Sequence, residues 1–151
     1  MKLSIFLLVV FSVTVLCEDQ RVMKFKNQHI IETDTGKSCD QLIEDRKINN
    51  NNDVKDRNTF IFSTFEDVKN ICKKEHRVDE NNNLYSSPEK MITLPCKLQT
   101  EGENKGKYEG VKEENHIEIA CDNIETVLQP VHFYCPDYAS LADSIQCKSS
   151  E

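Results

Sequence analysis

Residues 116–120 (HIEIA) and 130–135 (PVHFYC) alternate apolar and polar side chains. A period of two belongs to a strand with one buried face. Ile117 and Ile119 share the inner face of the first stretch. In the second, Val131 and Phe133 share one face and His132 takes the other. Residues 58–62 (NTFIF) and 91–98 also have strand chemistry. Upstream the period changes. Residues 21–30 (RVMKFKNQHI) place Val22, Phe25 and His29 at i, i+3 and i+7, on one face of a helix. Ser38 caps a second helix over residues 39–47, which buries Leu42 and Ile43. Thr64, with Asp67 three residues on, resembles a capping box and opens a third helix over residues 65–74. Val68, Ile71 and Cys72 point inward there, and Lys73 and Lys74 suit its C-terminal end. Residues 49–52 (NNNN) and 79–88 read as polar loops, and residues 101–107 hold a turn with Gly102 and Gly106. Helices early and strands late predict an α+β fold, with three short helices of the N-terminal half packed on a curved antiparallel sheet.

The chain is 151 residues long, which suits one domain with a real core. Nineteen Lys and Arg face 26 Asp and Glu, giving −7, so a basic nucleic-acid coat or a polybasic membrane binder is excluded. Met1 and Lys2 precede an apolar run over residues 3–16 (LSIFLLVVFSVTVL). The run is shorter than the ~20 residues a membrane span needs. The layout is that of a secretory signal peptide, with Val15 and Cys17 at the −3 and −1 positions of the cut. Residues 1–17 are thus expected to be removed, leaving one secreted, extracellular domain over residues 18–151 with a net charge of −8. No other segment is apolar enough to span a membrane. Six cysteines remain: Cys39, Cys72, Cys96, Cys121, Cys135 and Cys147. In an exported chain an even count predicts a fold stapled by three disulfides, with about fifteen connectivities open. No Cys/His spacing suits zinc, so no metal is expected.

Two histidines and a lysine sit in suggestive contexts. His29 lies on a helix face beside Gln28, His132 on a strand, and Lys55 just before NTF. One histidine on an apolar face is ordinarily a core residue. A pair has a further meaning, because one ring can take a proton while the other gives one near neutral pH. A nearby lysine can hold an anionic transition state. The set suits displacement at a phosphodiester by an adjacent hydroxyl, which RNA carries at the 2′ position.

At these residues the sequence resembles the secreted pancreatic-type ribonucleases, the ribonuclease A superfamily. Lys24-Phe25-Lys26-Asn27-Gln28-His29 looks like the family's K-F-x-x-Q-H helix. Lys55-Asp56-Arg57-Asn58-Thr59-Phe60 resembles C-K-x-x-N-T-F without the cysteine. Ile119-Ala120-Cys121-Asp122-Asn123 is similar to the C-E-N/G segment, and Pro130-Val131-His132-Phe133 to the P-V-H-F strand. The four motifs occur in the family's order and cover nearly all of the mature chain.

The resemblance implies cleavage of RNA 3′ of pyrimidines by transphosphorylation through a 2′,3′-cyclic phosphate. His29 would be the general base and His132 the general acid, and Lys55 would stabilise the charged phosphorus. Gln28 and the backbone N–H of Phe133 would hold a phosphate oxygen, and Lys24 a neighbouring phosphate. Thr59, beside Asn58, would read the pyrimidine, and Asp122 would meet the downstream base. RNA supplies its own nucleophile, so no metal or organic cofactor is implied. RNA is the implied partner, and a monomer is expected. The family's bridges map to Cys39–Cys96 and Cys72–Cys121, leaving Cys135 to pair with Cys147. An extra C-terminal bridge resembles the amphibian branch, although there it ties to a different strand.

The departures are specific. Val54 stands where the signature has a cysteine, and Gly106 where that cysteine's partner would be. Losing such a bridge costs about 2–4 kcal/mol unless it is compensated, and a looser Lys55 loop is expected. Tyr134 replaces the Asp that usually orients the acid histidine. Negative charge is concentrated over residues 101–125, with 8 acids and 3 bases, against 12 of each over residues 18–77. That acidic region is the surface expected to receive any protein partner. The rival reading is a catalytically weak or inactive secreted binding or signalling protein on the same fold.

Overall fold

The computed structural model describes residues 17–49 and 53–134. Cys135 and Cys147, and nearly all of the leader at residues 1–17, lie outside the described residues.

Helix α1 (Gln20–His29) begins where Asp19 accepts a hydrogen bond from the Arg21 backbone N–H, and it buries Val22, Phe25 and His29 as the period predicts. Its far end would leave carbonyls without partners. Arg46 supplies donors there, reaching the carbonyls of Asn27 at 2.9 Å and Ile30 at 2.6 Å. Helix α2 (Cys39–Asp45) opens on a full capping box between Ser38 and Gln41. Helix α3 (Phe65–Lys69) is capped by Thr64. It ends five residues before the predicted limit. Past Lys69 the backbone tightens, with Ile71 and Cys72 donating to carbonyls three residues back, and Cys72 is tied to Cys121.

The strands divide between two sheets rather than forming one. The first contains β1 (Ile30–Ile31), β2 (Arg57–Phe62), β5 (Met91–Leu98), β6 (Tyr108–Glu109) and β7 (Glu113–Asn115). It is antiparallel except for the short pair β1/β2. The second runs β3 (Arg77–Asp79), β4 (Leu84–Ser86), β8 (Glu118–Ile124) and β9 (Val127–Tyr134). Residues 79–88, expected as a loop, therefore contribute strand. Leu84 and Tyr85 are buried and hold β4 in the core. The turn before them is stabilised by Asp79, which accepts from the Asn81 N–H, and by Asn83 at φ 52°, a conformation Asn tolerates.

The pairing of β8 with β9 slips between Ala120 and Cys121. Ala120 faces His132 and Cys121 faces Pro130, so Val131 is an extra residue, a β-bulge. Pro130 and Val131 both turn inward, breaking the strict alternation of the sequence, and His132 is delivered to the exposed side.

One core gathers Val22, Phe25, Ile61, Val68, Ile119 and Val131 beneath α1. A second lies between α2 and the β2/β5 pair, around Leu42, Ile43, Phe60 and Leu94. Each is crossed by a disulfide: Cys72–Cys121 in the first, Cys39–Cys96 in the second. The loops these bridges close span 49 and 57 residues respectively. On the chain-entropy view each contributes roughly 4 kcal/mol. Gly110 passes so close to the second bridge that a Cβ there would lie 2.1 Å from the Pro95 carbonyl oxygen and 3.0 Å from Cys39 Sγ.

Candidate active site

Three elements converge on one cleft: the last turn of α1, the start of β2, and the bulged end of β9. His29 is the last residue of α1 and is buried. Its Nδ1 lies 2.8 Å from the Thr59 carbonyl oxygen. A carbonyl only accepts, so Nδ1 carries the proton and Nε2 keeps its lone pair. The ring is packed between Phe25 and Phe133, with centroids at 5.1 and 5.4 Å, and stacks on Phe133 at an interplanar angle of 28°. Burial, with the positive charges of Lys55, His132 and Lys24, holds the His29 pKa down to about 3. The Thr59 carbonyl opposes this only in part. The neutral ring is therefore the resting form.

Lys55 reaches the same cleft. Its Nζ donates to Asn58 Oδ1 at 3.0 Å and, more weakly, to Gln28 Oε1 at 3.4 Å. Asn58 in turn donates to the Gln28 carbonyl at 2.7 Å, pinning β2 to the end of α1. Burial first, and then Lys24, lower the Lys55 pKa to about 8. Lys24 is exposed on α1, yet it acts on Lys55, His29 and His132 together, so it faces the cleft.

His132 stands in contrast. The residue is exposed, and among the described residues no carboxylate hydrogen-bonds to it. Partial burial, then Lys24 and Arg21, lower its pKa below the usual histidine value. Asp122, expected at the downstream base, accepts a 2.6 Å ion pair from Arg21, which also touches Asp19. Among the described residues no group of three or more His, Cys, Asp and Glu is placed to hold a metal ion.

Several contributors were missed by the sequence. The Tyr108 hydroxyl donates to the Lys55 backbone carbonyl, and the Leu98 N–H donates to the Asp56 carbonyl at 2.8 Å. These bonds hold the Lys55 segment beside the positions where the expected bridge is missing. Val54 is exposed there, and Gly106 sits in a turn at φ +85°. Where a looser loop is expected, the segment carries two non-covalent ties. No local signal in the sequence marks Tyr108, because its partner lies 53 residues away. Arg46 and Arg21 were invisible for the same reason.

The family described as pancreatic ribonuclease matches residues 20–134. A pancreatic ribonuclease of Iguana iguana is 32% identical over 115 residues, covering 72% of this chain and 92% of the relative. That of Balaenoptera acutorostrata is 34% identical over 123 residues, covering 74% and 93%. Among solved structures, zebrafish RNase5 is similar at 27% identity with a TM-score of 0.60, covering 75% of this chain and 91% of the other. Green turtle egg white ribonuclease is similar at 26% identity with a TM-score of 0.61, covering 76% and 97%. With the helices, sheets and disulfides described above, these matches make this chain a member of the pancreatic ribonuclease family.

Proposed function

We propose that the protein is a secreted, metal-independent endoribonuclease that cleaves RNA on the 3′ side of pyrimidines. One observation carries the reading. His29 is fixed by Thr59 in the tautomer that leaves Nε2 basic, in the cleft that also receives Lys55 and His132. In this reading Nε2 of neutral His29 takes the proton of the 2′-hydroxyl. The 2′-oxygen forms a bond to phosphorus and the P–O5′ bond breaks. Protonated His132 gives its proton to the departing O5′, leaving a 2′,3′-cyclic phosphate. Lys55 neutralises charge on the phosphorane, and Gln28, Lys24 and the Phe133 N–H hold phosphate oxygens. Thr59 reads the base. The strand order places β6 and β7, with Glu109, Glu113 and Glu114, on the edge of β5 opposite β2.

The rival reading, a weak or inactive binding protein, draws on His132, which has no carboxylate partner among the described residues, and on the capture of Asp122 by Arg21. The deciding experiment is cleavage of a short fluorogenic substrate with a single pyrimidine ribonucleotide, across a salt series, with His132→Ala beside the wild type. Activity that disappears in the variant supports the enzyme. Absence of activity in correctly disulfide-bonded wild type rejects it and directs attention to protein partners of residues 101–125. Export after removal of residues 1–17 belongs to the same proposal and is checked by N-terminal sequencing of the secreted product.

A further inference from the structure

Before the slip at Cys121 the β8/β9 ladder is regular. Glu118 faces Tyr134, Ile119 faces Phe133 and Ala120 faces His132. Residues opposite each other on a rung share a face of the sheet, and successive rungs alternate. Ile119 is fully buried, so the middle rung looks into the core. The rungs on either side look the other way, and His132 and Tyr134 are exposed there. Glu118 is thus the diagonal neighbour of His132 on one face. Such neighbours sit roughly 7–8 Å apart along the backbone, within reach of long side chains. Ala120, which separates Glu118 from the His132 rung, has only a methyl group and offers the ring no hydrogen bond.

Glu118 carries an anomaly. Its carboxylate makes no hydrogen bond or ion pair among the described residues. Its strand neighbours, Ser86 on β4 and Tyr134 on β9, bring it no opposite charge. It is half-buried, and that burial raises its pKa. Glutamate is also depleted in strands, so neither packing nor propensity accounts for it. His132 has the complementary want. On protonation both ring nitrogens become donors. The charges that face it are Lys24 and Arg21 on α1, with His29 close by. Asp122, the acid on the other side of Ala120, lies past the slip and is spent on Arg21 at 2.6 Å. Glu118 is the acid of β8 left on the regular part of the ladder with its charge unspent. A neutral ring offers a carboxylate no charge, which agrees with the absence of a bond between the two in the structure.

We propose that Glu118 is a positioning residue, whose carboxylate turns to the protonated ring of His132 and holds it for delivery of the proton to O5′. The inference rests on the ribonuclease reading above and gives His132 the anionic support that Tyr134 does not supply.

The test uses Glu118→Gln, which keeps the size of the side chain and removes its charge. The ring protons of His132 are titrated by NMR in wild type, Glu118→Gln and Glu118→Gln with Tyr134→Asp. The pH profile of kcat/KM on a short single-pyrimidine substrate is measured beside them. In Glu118→Gln the His132 pKa should fall by roughly half a pH unit. The alkaline limb should move down with it, and kcat should drop several-fold with KM nearly unchanged. Tyr134→Asp returns a carboxylate to the same face of β9 and should restore both the pKa and the limb. An unmoved His132 in folded Glu118→Gln overturns the proposal. So does a loss of kcat and Tm without a change in the His132 titration, which would make Glu118 structural. If the wild type cleaves nothing while Glu118→Gln still lowers the His132 pKa, the ribonuclease reading fails and the pairing stands. If the wild type cleaves and His132 titrates alike in both, the ribonuclease reading stands and the pairing fails.

Discussion

His29 and His132 are the same side chain in opposite surroundings. His29 is enclosed at the end of a helix, sandwiched by Phe25 and Phe133 and tied through Nδ1 to the Thr59 carbonyl. His132 projects from a bulged strand, exposed, with Lys24 and Arg21 nearby. The first is set in place by many contacts and kept neutral. The second is carried by the bulged strand and stays exposed, where it can take a proton from water. The difference teaches how one residue type is divided into a base and an acid: enclosure favours the neutral form, and exposure lets the charged form exist.

The harshest way to break this contrast is to delete either ring. His29→Ala and His132→Ala should each lower kcat/KM on a single-pyrimidine substrate by roughly 100- to 10,000-fold, the usual worth of a positioned acid or base. Single-turnover kinetics on folded variants would check it.

A second route uses pH. Both histidines have lowered pKa values in the free protein. Below the usual histidine pKa of about 6.5, the unfolded chain binds a proton that folded His29 refuses until about pH 3. Its contribution to stability is therefore full above about pH 6.5 and fades as pH falls toward 3. Denaturant melts of wild type and His29→Leu across this range should show a shallower acid loss in the variant. For catalysis, the alkaline limb of kcat/KM should fall below the ordinary histidine value, because His132 must be protonated to act.

A milder perturbation is Lys24→Gln, which removes a charge that depresses Lys55, His29 and His132 together. The alkaline limb should move upward, and KM should rise at low salt while converging with wild type at high salt. NMR titration of the ring protons would resolve the two histidines. The smallest expected effect belongs to Tyr108→Phe. Losing its hydrogen bond to the Lys55 carbonyl should cost about 1 kcal/mol of stability, and a few-fold in kcat through a less well placed Lys55. A larger drop in kcat with stability unchanged would assign Tyr108 a direct role in the chemistry.

Much of this contrast was legible in the residues. Helix α1 declared its buried face through the spacing of Val22, Phe25 and His29, and the caps at Ser38 and Thr64 marked two helix starts correctly. Strand β5 was legible in full. What failed was set by tertiary contacts. The β3–β4 hairpin hid beneath polar residues 79–83, because only Leu84 and Tyr85 betray its buried side. The third helix ran too long, because periodicity cannot register where the chain must turn to bring Cys72 to Cys121. In the site, the residue types were readable but their supports were not. Tyr108 on Lys55, Arg46 on the end of α1 and Arg21 on Asp122 all act across long sequence separations. The bulge at Val131 depends on register with β8, which no single strand contains.

The Tyr108 tether changes how the Lys55 segment responds to its chemical surroundings. A disulfide in that place would open in a reducing medium and release the lysine when thiols accumulate. A phenol on a carbonyl is indifferent to the thiol poise. Burial and the nearby Asp56 and Asp40 also raise the Tyr108 pKa, so the donor persists into alkaline solution. Reduction therefore acts on the frame, through Cys39–Cys96 and Cys72–Cys121, while the anchor of the lysine carries no redox switch of its own.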